Sequence, residues 1–232
     1  MVLFFLKKEM RVDLANKYRY FSTLKCEVTI MDAVDILMTK IVSAVRQNKQ
    51  IILGIDGLSR SGKTTFVKKF ASVLSEKQIE NMVFHLDDHI VGRSKRYNTG
   101  HEEWQEYYFL QWDVEWLSKS LLGNLVHSNE IELPFYDHKL DEHVYQKLQL
   151  NGKDVFIVEG VFLQRKEWRP YLDFTVFIDC PRDIRFARES YQTQQKIARF
   201  RNRYWKAEGY YMENLRPVEK ADLVIPYYEL IN

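Results

Sequence analysis

The octapeptide GLSRSGKT, Gly57 to Thr64, constrains this chain more than any other feature. Glycine lowers the stability of ordered elements, so a glycine-bracketed polar loop directly after the apolar run IILGID (51–56) needs a physical reason. The spacing G-x-x-x-x-G-K-[ST] supplies one. Backbone N–H groups can wrap a phosphate only where side chains stay clear, and a helix starting near Lys63 turns its positive end on the same anion. In that arrangement Gly57, Ser59, Ser61, Gly62 and Thr65 shape the cradle, Lys63 reaches the outer phosphates, and the Thr64 hydroxyl is placed for Mg²⁺. The mechanism requires a strand before the pattern and a helix after it, a frame that a chance match would lack. IILGID reads as a buried strand, and TTFVKKFASVLSEK (64–77) sets Phe66, Phe70, Val73 and Leu74 on one side and lysines on the other.

The rest of the chain repeats this alternation. MDAVDILMTKIVSAVRQNKQ (31–50) carries Val34, Leu37, Met38, Ile41, Val42 and Val45 at helical spacing. Further apolar strands are predicted at 82–88, 155–160, 174–181 and 221–226, and helices at 113–126, 183–191 and 196–211. Asp113 can cap the first of these helices. Residues 90–110, polar and aromatic without a clean period, read as irregular. Buried strands alternating with helices mean a parallel sheet covered on both faces. The predicted fold class is therefore α/β, a three-layer P-loop NTPase fold with a five-stranded parallel sheet. Residues 31–232 suit one domain, and residues 1–30, which show no period, read as an appended extension.

Composition excludes some functions. A formal net charge of +2 gives no global basic field for nucleic acid, and RFRNRYWK (199–206) reads better as a solvated or phosphate-facing helix than as a nucleic-acid stripe. No apolar run nears the roughly 20 residues of a membrane span. MVLFFLKKEM places its charge after its apolar stretch, the reverse of a secretory signal. Cys26 and Cys180 form no metal-ligand or redox spacing, which fits reduced thiols and a cytoplasmic location.

Acids close two strands beside the phosphate loop. FHLDDHI ends in Asp87 and Asp88, and VFIVEG ends in Glu159. Ligands of open α/β sheets bind at the carboxyl ends of strands. A carboxylate there can accept a proton from an attacking hydroxyl or hold a metal-bound water, although an aspartate after a strand is equally a helix cap. The oxygen-rich set suits Mg²⁺.

The motifs GIDGLSRSGKTT, HLDDHI, LPFYDH, VEGVFL and ADLVIP, in this order from about Gln50 to Pro226, resemble the uridine kinase group of P-loop kinases, which includes nicotinamide riboside kinases and is related to phosphoribulokinase. FLQWDVEWL is closer to the nicotinamide riboside kinase version of its segment, and the whole chain is close to bacterial uridine kinase-like proteins. The resemblance implies a kinase using ATP and Mg²⁺ on a small-molecule hydroxyl acceptor, a nucleoside or related riboside, with a homo-oligomer left open. It implies that Asp87 is the general base, with Asp88 beside it toward the acceptor. Glu159 would help hold Mg²⁺ with Thr64 and Asp87, Asp113 would bind ribose hydroxyls, and Tyr136 would lie near the nucleobase. A helical lid would span about 185–205 and carry Arg185 and Arg188, Arg188 at the transferring phosphate and Arg185 at ATP.

The sequence departs from that pattern where a base would be read. The family histidine five residues after the tyrosine is Asp141 here, with His138 and His143 nearby, and the lid continues as ESYQTQQ rather than with more arginines. EEWQEYYFLQW (102–112) can line an acceptor pocket or simply pack. Two alternatives stay open: a kinase of a non-nucleoside alcohol such as pantothenate or a sugar phosphate, and a non-catalytic nucleotide-binding regulator. A GTPase switch is disfavoured by the lack of an N-K-x-D motif.

Overall fold

A computed structural model of the chain describes residues 30–227. The reading of residues 1–30 as an extension therefore lies, except for Ile30, outside the described residues. In chain order the main elements are α1 (Ile30–Val45), β1 (Ile51–Gly57), α2 (Lys63–Glu76), β2 (Asn81–His85), α3 (Glu103–Phe109), β3 (Glu130–Asp137), β4 (Glu142–Gln149), β5 (Val155–Gly160), β6 (Phe174–Asp179), α4 (Arg182–Ala187), α5 (Trp205–Leu215) and β7 (Leu223–Pro226).

Five strands form one parallel sheet in the order β2-β5-β1-β6-β7. Alternation along each buried strand divides the core into two layers. Ile51, Leu53, Ile55, Ile157 and Ile178 pack against Leu37 and Ile41 of α1 and Phe66, Phe70 and Leu74 of α2. Ile52, Phe156, Val158 and Phe177 face the other way, toward Tyr107, Trp112, Trp168 and Tyr211. This is the three-layer arrangement expected from the apolar periodicity. No described helix is long and apolar enough to cross a membrane.

Several regions differ from the sequence reading. The strand read at 82–88 stops at His85, and Leu86–His89 turn as a 3-10 helix. The helix read at 183–191 ends at Ala187, residues Tyr191–Gln194 are helical, and the helix read at 196–211 divides into Ile197–Arg199, a π-helical Phe200–Tyr204 and α5. Residues 90–110 are not irregular throughout: they form a short helix, Arg93–Arg96, and then α3. The α3 start carries a capping box between Glu102 and Gln105, a local signal stronger than its weak apolar period. The predicted helix 113–126 is a three-residue α-turn, Val114–Trp116, running into a π-helical stretch, Leu117–Leu122. Finally, β3 and β4 form an antiparallel hairpin apart from the main sheet. Ile131 and Leu133 seat β3 in the core, while β4 is almost wholly exposed and so lacks a burial pattern.

An acid sits at the centre of this core. Asp56, fully buried at the end of β1, accepts hydrogen bonds from the amides of Gly57 (2.8 Å) and Leu163 (3.3 Å), from Gln164 Nε2 (3.0 Å) and from the Tyr211 hydroxyl of α5. Burial pushes its carboxyl up, and the Tyr211, Gln164 and Gly57 hydrogen bonds work against that rise. Every partner is a donor, so only a carboxylate satisfies the set. Asp56→Ala should cost about 3–5 kcal/mol by stranding these donors in the core. Thermal unfolding should show a drop of roughly 10 °C at this chain size. A change of only a degree or two would mean that water or a rearranged Gln164 replaces the carboxylate.

Candidate active site

The loop between β1 and α2 adopts the shape its glycines allow. Gly57 has φ 150° and Gly62 has φ 108°. A Cβ on Gly57 would lie 2.8 Å from the Ile178 carbonyl oxygen and 2.7 Å from Ser61 Oγ. Gly62 is the N-cap of α2 and contributes no side-chain cap, so the amides of the first turn stay open to an anion. Lys63 curls back over the loop, its Nζ donating to the Leu58 carbonyl at 3.1 Å. Burial lowers its ammonium pKa, and Glu159, Asp87, Asp56 and Glu208 oppose that by their charge.

This loop forms one wall of a cavity of about 900 Å³. Ser59, Gly62, Lys63, Thr64 and Thr65 line it, whereas Gly57 and Ser61 are buried off its surface. Asp87 enters from the 3-10 turn Leu86–His89 that follows β2, and Glu159 from the end of β5. Glu159 Oε1 accepts from Thr64 Oγ1 at 2.8 Å and meets His85 Nδ1 at 2.6 Å. Burial works to raise the Glu159 carboxyl, but the His85 hydrogen bond, the Lys63 charge and the Thr64 hydroxyl together hold it below the usual range. Its second oxygen, Oε2, is buried without a partner. Asp87 is exposed to the cavity, whose walls enclose it in protein. That enclosure raises its carboxyl, Lys63 pulls it down, and Glu159 and Asp88 push it up again.

The arginines after β6 divide their work. Arg185 is buried and donates to both oxygens of Glu208 (2.8 and 3.0 Å), to the Ser59 carbonyl (3.0 Å) and to the Cys180 carbonyl (3.0 Å). It lines the cavity while bracing the phosphate loop against α5. Arg188 is exposed on the cavity wall, with one nitrogen on the Arg60 carbonyl at 2.7 Å. The segment between α4 and α5 adds Lys196, Arg199, Phe200 and Tyr204 to the wall. Of RFRNRYWK, Arg199 thus faces the cavity, Arg201 is exposed, and Arg203 is buried in an ion pair with Glu106 at 3.1 Å.

The remaining sequence candidates lie elsewhere. Asp88, Asp113 and Tyr136 are absent from the cavity wall. Asp113 is exposed and caps the short helix that follows, its Oδ1 accepting the Trp116 amide at 3.0 Å. Tyr136 is buried, its hydroxyl bonded between Arg96 (3.1 Å) and Asp141 (2.7 Å). Asp141, standing where the family histidine was expected, is thus the partner of the very tyrosine it follows. His143 gives its Nε2 to the Ile90 carbonyl at 2.8 Å, whereas His138 lines the cavity. Within EEWQEYYFLQW, Tyr107 reaches the cavity, while Trp104 and Phe109 pack against Tyr210. Sequence reasoning missed Asp56 and His85, and left Tyr107 open between lining a pocket and packing. A lone acid in an apolar strand was a readable sign of Asp56; Tyr107 had no mark separating it from its aromatic neighbours.

A parallel sheet with a glycine-bracketed loop after its central strand, capped by a lysine-led helix, defines a P-loop phosphate-binding protein. A match to the family described as Phosphoribulokinase / Uridine kinase covers residues 52–199, and the chain belongs to that family. It is a phosphotransferase acting on a hydroxyl group. A uridine kinase of Halalkalibacterium halodurans is 29% identical over 188 residues, 77% of this chain and 86% of that protein. One from Borrelia duttonii is 30% identical over 189 residues, 75% of this chain and 85% of that protein. Among solved structures, a possible uridine kinase from Bacillus stearothermophilus is 48% identical, with a TM-score of 0.73 over 84% of this chain and 98% of that one.

Proposed function

We propose that the protein transfers the γ-phosphate of ATP to the primary hydroxyl of a small molecule, the 5′-hydroxyl of a nucleoside such as uridine or cytidine or of a related riboside. One observation carries the reading: a single cavity brings the phosphate loop, the Thr64–Glu159 pair and Asp87 together. The acceptor oxygen attacks the γ-phosphorus as the bond to the ADP oxygen breaks, and Asp87 takes the proton the acceptor loses. Lys63, Arg188 and the amides opening α2 neutralise the phosphate charge. Arg185 serves by holding Ser59, and through it the loop, in place.

The residues present fit Mg²⁺. Thr64 offers a hydroxyl, and the orphaned buried Oε2 of Glu159 is an oxygen donor without a partner. The described residues contain no preformed group of three or more acid, histidine or cysteine ligands, so phosphate oxygens and water would complete the coordination. When bound, the ion would screen the phosphate charge; Thr64, Glu159 and, across the cavity, Asp87 would hold it directly or through water.

A small anionic alcohol, such as pantothenate or a sugar phosphate, is the second reading. The tie of Tyr136 to Arg96 and Asp141 favours it, because the side chain expected at a nucleobase is already engaged. ADP release across a panel of ribosides, pantothenate and sugar phosphates tests both readings. Turnover with uridine or cytidine supports the first. Binding of Mg–ATP without turnover on any acceptor would replace both with a nucleotide-binding regulator.

Asp113 can meet an acceptor hydroxyl only from its exposed side. Asp113→Ser retains an oxygen that caps and should leave stability unchanged. If the lost carboxylate grips ribose, the acceptor KM rises about tenfold with ATP affinity constant. An unchanged KM confines Asp113 to capping.

A further inference from the structure

Two cavity-lining residues on distant segments are joined by an unbroken chain of hydrogen bonds that runs behind the cavity wall. Arg199 donates to the Tyr97 hydroxyl at 3.1 Å. Arg96 donates to the same hydroxyl at 3.0 Å and, with its other terminal nitrogen, to the Tyr136 hydroxyl at 3.1 Å. Tyr136 in turn donates to Asp141 Oδ1 at 2.7 Å, and that oxygen also accepts the Arg93 amide at 2.8 Å. The Arg93 side chain closes the path on the His138 carbonyl. Arg199 and His138 both line the cavity; Tyr97, Arg96, Tyr136 and Asp141 do not.

The middle of this chain is built to stay in place. Arg96 is buried, and its Nε donates to the Val91 carbonyl at 2.8 Å. The Tyr97 ring packs against the guanidinium groups of Arg96, at 4.8 Å from the ring centre, and Arg203, at 4.3 Å. Arg203 is itself buried, tied to Glu106 and to the Arg96 carbonyl. A buried, hydrogen-bonded planar group has few alternative positions, so displacement at one end is passed on rather than absorbed.

We propose that Tyr97 is a positioning residue that couples the segment after α4 to the β3–β4 turn, so that nucleotide contact with the Arg199 side sets the position of His138 on the other. This rests on the kinase reading of the cavity and adds to it a mechanical link through residues that touch neither nucleotide nor acceptor. The link ensures that the wall bearing Arg199 and the wall bearing His138 close together.

Amide hydrogen exchange with and without Mg²⁺ and a non-hydrolysable ATP analogue tests it on the full chain. In the parent protein the analogue should slow exchange in the phosphate loop, in residues 195–204 and in the turn at 137–142. Tyr97→Phe removes the hydroxyl and keeps the ring stacked on both arginines. In that variant the protection at 195–204 should persist and the protection at 137–142 should be lost. Tyr136→Phe cuts the chain one link later and should give the same pattern, which guards against a folding defect in either variant. Equal protection of the turn in parent and variants would overturn the proposal, as would protection of the phosphate loop without the turn in the parent. If the analogue protects no part of the parent's phosphate loop, the nucleotide site itself is misassigned and the coupling falls with it.

Discussion

Lys63→Ala is expected to lower turnover about a thousandfold or more while the melting temperature stays within a few degrees of the parent. The two halves of this result have different causes. Lys63 reaches over the phosphate loop, where, in the proposed mechanism, a fixed positive charge acts on the phosphoryl group as its charge redistributes. A preorganised donor at that position cannot be replaced by water. The side chain contributes little to the fold, however, because the hydrogen bond it makes is to the Leu58 carbonyl. Burial disfavours the ammonium and outweighs the surrounding acids, so the charge itself adds no net stability that truncation would lose. ADP release with an active acceptor and a thermal melt measure both. Unchanged ADP release would sink the assignment of the phosphate site.

Asp87→Asn separates chemistry from binding. Asparagine preserves shape but cannot take a proton, so turnover should fall by about 10²- to 10⁴-fold, the usual cost of losing a general base. ATP affinity should stay within a few-fold, since in the proposed mechanism Asp87 acts on the acceptor's proton and not on the donor's base. The setting strengthens the case. Enclosure by protein raises the Asp87 carboxyl above the ordinary aspartate value, and a carboxylate that holds its proton more tightly is the better base. Nucleotide titration and single-turnover rates on the same variant distinguish the outcomes. A rate near that of the parent would move the base elsewhere; a large loss of ATP affinity would give Asp87 to the metal and nucleotide instead.

The donor half of the site was legible in the sequence because its physics is local. A phosphate loop needs glycine at fixed positions, a strand before and a helix after, and all three are contiguous between Ile51 and Glu76. The five strands were legible because parallel strands buried on both faces leave continuous apolar runs. The hairpin was not, because Glu142–Gln149 is exposed along nearly its whole length and carries no inward face to betray it. The acceptor half was legible only in part. Asp87 was read as closing a strand; β2 stops at His85 and Asp87 reaches the cavity from the 3-10 turn that follows. The fate of Tyr136 depended on Arg96 and Asp141, 40 and 5 residues away, and no periodicity encodes such a meeting. Arg203 sat in a stretch that reads as a charged surface, and its burial follows from finding Glu106 across 97 residues of sequence.

The order of the sheet has a consequence for how such a protein can be altered. β2 is an edge strand, paired only with β5, and the chain from β2 through β4 leaves and re-enters the fold at neighbouring points, the Glu80 carbonyl accepting the amide of Asp154 at 2.8 Å. Asp87, Tyr107 and His138 all belong to this one uninterrupted stretch, whereas the phosphate loop and the arginines after β6 flank it. On the proposed reading, the half of the cavity that would choose what is phosphorylated is thus a single cassette in the gene. Recombination between relatives at two breakpoints, near residues 80 and 154, would exchange acceptor preference while leaving the donor machinery as it was.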